Sequence, residues 1–348
     1  MLKQSLKTKI FSKAVLTRFT GSNTICVSNR NIYASTKALN EKKTTTPLGV
    51  DRSIENNLVT ETNKLSKLKQ KFWQNINLND KIDPGMIHIQ MDNKTIRTPM
   101  GNQLIVKQDQ TILAYLLKNE WNNLESLNAK SYSLPLTSLT SRCIDLESAH
   151  KGNVDSELVA KCNGDRKQII SDLLRYLDTD TLLVFAPNEE LDGALRKDQD
   201  ELYIPIIQGV EELLFGYLPE VDMSHSEGLE LRRLDLDTDG LRSNVQHVDV
   251  REAATNYLKS LSYWNLAVFE KTVMITKSFI CGLLLTENVI KKETLPSLKC
   301  DIEKMERLAS LETIHQAKKW GEVEDTHDVN KADLLRNISA ASLVACKE

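Results

Sequence analysis

The sequence predicts an α+β fold: a small antiparallel sheet domain with one helix, followed by a multihelical domain of orthogonally packed helices. Three observations carry this reading. Short extended runs separated by turn residues occupy residues 86–106, helical spacing begins near residue 108 and recurs almost to the C-terminus, and the later apolar faces have no matching sheet to cover them. No repeat period is present, so a solenoid is not expected.

Taken in order, residues 1–40 hold seven basic residues, ten Ser or Thr, and no Asp or Glu. Their apolar residues are spread among the basic ones, as in an amphipathic mitochondrial presequence, and no continuous secretory core exists. Residues 41–67 are polar and aperiodic and read as a flexible linker. Residues 68–133 form the expected sheet-containing domain. Met86–Met91, then Asp92-Asn93-Lys94, then Thr95-Ile96-Arg97 reads as a hairpin, and Leu104-Ile105-Val106 as a further strand. Gln108–Leu127 then carries Ile112, Leu113, Leu116, Leu117, Trp121 and Leu124 at helical spacing, so a helix closes the sheet's apolar face with Trp121 in its core stripe. Arg97-Thr98-Pro99 and Leu134-Pro135-Leu136-Thr137 are joints between elements.

Residues 134–348 are expected to be all helical. The predicted helices are Thr137–Leu146, Arg166–Leu177, Asp198–Leu218, Arg251–Leu285 with a break near Leu261-Ser262, Leu298–Trp320 and Val329–Ala345. Pro205 should kink or start a helix.

Charge narrows the function. The whole chain carries 45 basic and 48 acidic residues, but residues 41–348 carry 38 and 48, a formal charge of −10. Such an acidic mature chain does not suit a nucleic-acid partner. The longest uncharged piece of the most apolar stretch, Ser278–Thr286, is far too short to span a membrane. The six cysteines are scattered without C-x-x-C pairs and read as reduced thiols.

Chemical motifs are few. Asp235-Leu236-Asp237-Thr238-Asp239-Gly240 opens like an EF-hand loop, yet Gln246 stands where the bidentate Glu belongs, so a polar turn is the better reading. No phosphate-binding glycine loop, nucleophile elbow or histidine-rich metal spacing appears, and no metal, cofactor or catalytic residue is assigned. The most pointed feature is Leu308–Val329. At 100° per residue Glu312 and Gln316 fall among Met305, Leu308, Ala309 and Trp320, which places a carboxylate on an apolar face that must satisfy it. Gly321 then stops the helix before a burst of acid that includes Glu322 and Glu324.

The ordered set Lys69-x-x-Phe72-Trp73, Ile96-Arg97-Thr98-Pro99, Glu120-Trp121, Leu134-Pro135-Leu136-Thr137, Asp178-Thr179-Asp180, Gln199-Asp200 with Tyr203-x-Pro205, and Leu311-Glu312 with Gln316 and Trp320-Gly321 resembles the mitochondrial F1-ATPase assembly chaperones that bind the alpha subunit, the ATP synthase F1 complex assembly factor 2 type. The resemblance covers Lys69–Cys346. It implies a monomeric chaperone of the mitochondrial matrix, without enzymatic activity, that holds the unassembled F1 alpha subunit until the beta subunit replaces it. The family's functionally important acid near the end of its last long helix maps to Glu312, and its tryptophan after the sheet to Trp121. Leu182–Pro187 departs from the tract other members carry, which puts any binding role of that segment in doubt.

The expected partner surface is therefore Glu312, Gln316, Trp320, Glu322 and Glu324, with Trp121 and Arg97 as support. Two other classes remain open on the residues alone. A small-molecule matrix enzyme would gather Asp178, Asp180 or Glu312 in a deep pocket, and a stable helical adaptor would have a permanent partner.

Overall fold

The computed structural model describes residues 71–124, 133–151, 156–219, 228–240, 242–290 and 294–346. The predicted presequence and linker lie outside the described residues.

The sheet is built around β2 (Met86–Met91), which pairs antiparallel with β1 (Ile76–Asn79) on one side and β4 (Ile105–Lys107) on the other, while its continuation turns back as β3 (Lys94–Thr95). Asp92 makes this turn in the left-handed region, a conformation that a short polar side chain tolerates. Its carboxylate also accepts from the backbone N–H groups of Gln74 and Asn75, which pins the entry of β1. Alternation sends Ile87 and Ile89 to the core beside Ile76, Leu104 and Val106. Helix α1 (Thr111–Asn122) lays Leu113, Ala114 and Leu117 over this face. The hairpin, the following strand and the covering helix are thus as predicted. Strand β1 is an addition, since one buried isoleucine among asparagines gives no period-two signal.

Helix α2 (Pro135–His150) has Pro135 in its first turn, where the missing N–H costs nothing. It has no side-chain cap of its own. Glu120, at the end of α1, supplies one by accepting from the N–H groups of Leu136 and Thr137 at 2.9 and 2.8 Å. The sheet is fastened to the same helix by Asp145. This buried carboxylate accepts from Thr98 Oγ1 and Asn102 Nδ2 at 2.5 and 2.8 Å. Thr98 is therefore the joint that the Arg97-Thr98-Pro99 reading anticipates.

The remaining helices are α3 (Ser156–Lys161), α4 (Arg166–Asp178), α5 (Ala194–Phe215), α6 (Val248–Ser260), α7 (Tyr263–Thr276), α8 (Phe279–Ile290), α9 (Ile302–Trp320) and α10 (His327–Ala345). The caps are local and legible: Asp165 for α4, Ser262 for α7 and Asp301 for α9 each accept from a first-turn N–H. Helix α8 is apolar on all sides and buried along most of its length, as expected of a helix surrounded by others. Gly282 lets α7 approach it, because a Cβ there would lie 2.7 Å from Val273 Cγ2 and 3.0 Å from Phe269 Cζ.

The predicted break near Leu261-Ser262 is present, and a second one follows at Lys277, which takes φ 59° between α7 and α8. Pro205 lies inside α5 rather than at its start. A two-stranded parallel pair, β5 (Val184–Phe185) with β6 (Leu234–Asp235), interrupts the expected all-helical region.

Candidate functional site

The end of α9 is positioned by contacts with α5. Tyr203 Oη donates to the Leu308 carbonyl at 3.0 Å, and burial pushes its phenol well above the ordinary range. One turn nearer the start of α5, Asp198 meets His315 Nε2 at 3.0 Å and Arg307 at 3.5 Å. A third tie comes from the turn before α5, where Leu191, Asp192 and Gly193 all adopt positive φ. That run brings Asp192 within 3.1 Å of Lys319 Nζ.

These contacts fix which side of α9 is buried, and they correct the sequence reading of Glu312. The face against α5 is centred on Met305, Leu308, Leu311 and His315. Glu312 is nonetheless exposed, not buried against α5, and its Oε1 accepts from Gln316 Nε2 at 2.8 Å. Trp320 lies further round and is 69% exposed, with Val323 beyond the Gly321 stop at 58%. Gly321 takes φ 91° and its N–H closes onto the Ala317 carbonyl at 2.8 Å. Glu322 and Glu324 are exposed in the turn that follows.

The structure therefore divides the predicted set. Glu312 and Gln316 are bonded together on the α5 flank. Glu322 instead borders a groove of about 570 Å³ between α9 and α10, on the other side of the helix. Trp320 and Glu324 project from the helix end. Trp121 and Arg97 belong to the sheet end of the molecule: Trp121 donates to Thr137 and stacks edge-on against Trp73 at 5.7 Å, while exposed Arg97 donates to the Gly101 carbonyl at 2.7 Å. Phe72, 72% exposed, extends this aromatic row at 5.1 Å from Trp73.

The acidic residues singled out by sequence do not gather in one pocket. Asp178 accepts from Gln246 N–H and pairs with Arg251. Asp180 is fully buried and accepts from the N–H groups of Leu182 and Ile280, with burial raising its carboxyl to about 6. Asp235 is held down in pKa by Arg196, which donates to it at 2.7 Å, and Asp237 accepts from Asn188. The partners of these carboxylates are backbone N–H groups, amides and cations, so they brace the fold. No group of three or more metal-ligating side chains occurs among the described residues.

Sequence reasoning missed Glu306, 6% exposed and set in the wall of the α9–α10 groove. A single-arc reading of α9 puts it on the solvent side. The helix is in fact covered on two sides, by α5 and by α10, and no wheel drawn from one stripe could reveal the second contact.

A family model described as ATP12 chaperone protein matches residues 70–211. Among curated relatives, the mitochondrial protein ATP12 of Saccharomyces cerevisiae is 53% identical over 305 residues, covering 87% of this chain and 91% of that protein. The mitochondrial protein atp12 of Schizosaccharomyces pombe is 30% identical over 277 residues, covering 79% and 82%. The crystal structure of Atp12 from Paracoccus denitrificans shares the fold with a TM-score of 0.55 at 20% identity, over 80% of this chain and 97% of that one. A protein of Agrobacterium tumefaciens does so with a TM-score of 0.57 at 22% identity, over 79% and 84%.

Proposed function

This chain belongs to the ATP12 chaperone family, and from that premise we propose that it binds the unassembled alpha subunit of F1 ATP synthase in the mitochondrial matrix, prevents its aggregation and releases it to the beta subunit. The docking surface is the flank and end of α9, with Glu312, Gln316 and Trp320 at its centre and Glu324 at its rim, while Glu322 lies where that surface meets the α9–α10 groove. Residues 1–40 act as the import presequence and residues 41–67 as a linker, ahead of a sheet-containing domain to residue 133 and a helical domain from residue 134.

The observation that carries this reading is the exposure of Trp320 and Val323 beside solvent-facing carboxylates at the end of a rigidly anchored helix. A large indole left in water costs free energy that a partner's apolar surface recovers, and it is the kind of side chain that anchors interfaces. The carboxylates around it suit the interface arginines of a subunit not yet assembled, giving orientation and a faster encounter. The presequence-like composition and the acidic remainder of the chain agree with a matrix protein that acts on another protein.

Mixing purified alpha subunit with the protein and with Glu312→Lys tests the proposal by aggregation turbidity and direct binding. The wild type should hold alpha soluble, and Glu312→Lys should lose that activity with its thermal unfolding unchanged, because Glu312 is exposed and among the described residues bonds the half-buried Gln316 alone. Full retention of alpha binding by the folded variant would remove Glu312 from the surface. Failure of the wild type to bind alpha would overturn the function.

A further inference from the structure

The carboxylate of Glu306 has no hydrogen bond or ion pair among the described residues, although the residue is 94% buried. Its oxygens are not sealed from water but open onto the groove, so a charge with no protein partner of its own faces the space that a ligand would fill. It lines the groove between α9 and α10 together with the apolar side chains of Ile275, Ile314, Ala317 and Leu334. Lys318, Lys331 and His327 also border the groove, yet none is within ion-pair distance of Glu306, and Glu322, Asp328 and Asp333 balance them at the rim.

We propose that this groove is a second client site, which receives an arginine flanked by apolar residues from the chaperoned protein, with Glu306 as the acceptor of its guanidinium. Arginine fits because its delocalised, weakly hydrated cation gives up water more readily than an ammonium and offers two parallel donors to a carboxylate. The apolar walls supply area for the flanking residues, and the unmet charge at the floor supplies selectivity: a neutral segment would leave Glu306 unpaired and desolvated. The site faces away from Glu312, so one helix presents two surfaces to the client, one on each flank of α9. The inference rests on the proposed alpha-subunit reading for the identity of the client and not for the chemistry of the groove.

Glu306→Gln keeps the shape and removes the charge. If the acid is kept for a client, the folded protein should gain or retain thermal stability while its binding of purified alpha subunit weakens by roughly tenfold, the loss expected for one charge-assisted hydrogen-bonded pair. A structural role would lower stability instead, and unchanged alpha binding would overturn the site. The second measurement needs no alpha subunit. A leucine-rich peptide with one central arginine, and the same peptide with neutral citrulline there, are titrated into wild type and Glu306→Gln while backbone amide shifts are followed. Shifts along α9 and α10 that require both arginine and Glu306 support the site, and shifts indifferent to either overturn it. Arginine-dependent shifts in a wild type that fails to bind alpha would leave the groove standing and remove the client assignment.

Discussion

The indole N–H of Trp121 donates to Thr137 Oγ1 at 3.0 Å, joining the last turn of α1 to the first turn of α2. The same hydroxyl donates to Glu120 Oε2 at 2.6 Å, so one threonine is held from both sides by consecutive residues. Replacing Trp121 with Phe keeps most of the ring contact with Trp73 but deletes the donor. The expected cost is about 1 kcal/mol in urea unfolding, with Trp121→Ala losing several times more through the lost packing against Trp73 and the core.

Asp180 sets a pH dependence. Burial raises its carboxyl from 3.8 to about 6. A raised native value means the folded state holds the proton more tightly, so this group's contribution is full below 3.8 and is lost as pH rises through about 6. Asp180→Asn removes that titration and turns an amide N–H toward a backbone donor. The variant should be less stable by about 1–2 kcal/mol near pH 7. The gap from wild type should widen toward pH 4, as read by chemical denaturation at each pH; a gap constant with pH would show that Asp180 does not titrate in this range.

Gly282→Ala distinguishes propensity from packing. In an open helix alanine would stabilise by about 1 kcal/mol. Here its Cβ would meet Val273 and Phe269 inside normal contact distance, so the substitution should destabilise by about 1–3 kcal/mol. Calorimetry decides the sign.

Trp320→Ser should behave in the opposite way. The side chain is 69% exposed at a helix end, so unfolding should shift by no more than about 0.5 kcal/mol. Binding of the alpha subunit should weaken by at least roughly tenfold if the indole anchors the interface. Unchanged affinity would place the anchor elsewhere.

What the sequence made legible follows the physics of each element. The hairpin at 86–97 and the helix over the sheet were readable because alternation and helical spacing are local signals. Strands β5 and β6 were not, since two-residue strands exist only through a pairing that spans 50 residues of chain. The break at Lys277 was also hidden, because a lysine in the left-handed region carries none of glycine's warning. At the candidate site, the helix and its Gly321 stop were legible, whereas the true orientation of Glu312 was not. A wheel weights every apolar residue alike, and Trp320, exposed in the fold, pulled the inferred stripe toward the surface.

Asp145 accepts from Thr98 and Asn102 across the junction between the sheet and α2, and Ser148 on the same helix donates to Asn102 Oδ1 at 3.0 Å. Neither side of this junction can meet its polar obligations alone. A fragment beginning at α2 would expose an orphaned carboxylate together with the apolar surface that α1 covers, so the sheet and the helices should lose structure in a single cooperative step, with amide exchange in β2 and α2 slowing to the same global limit.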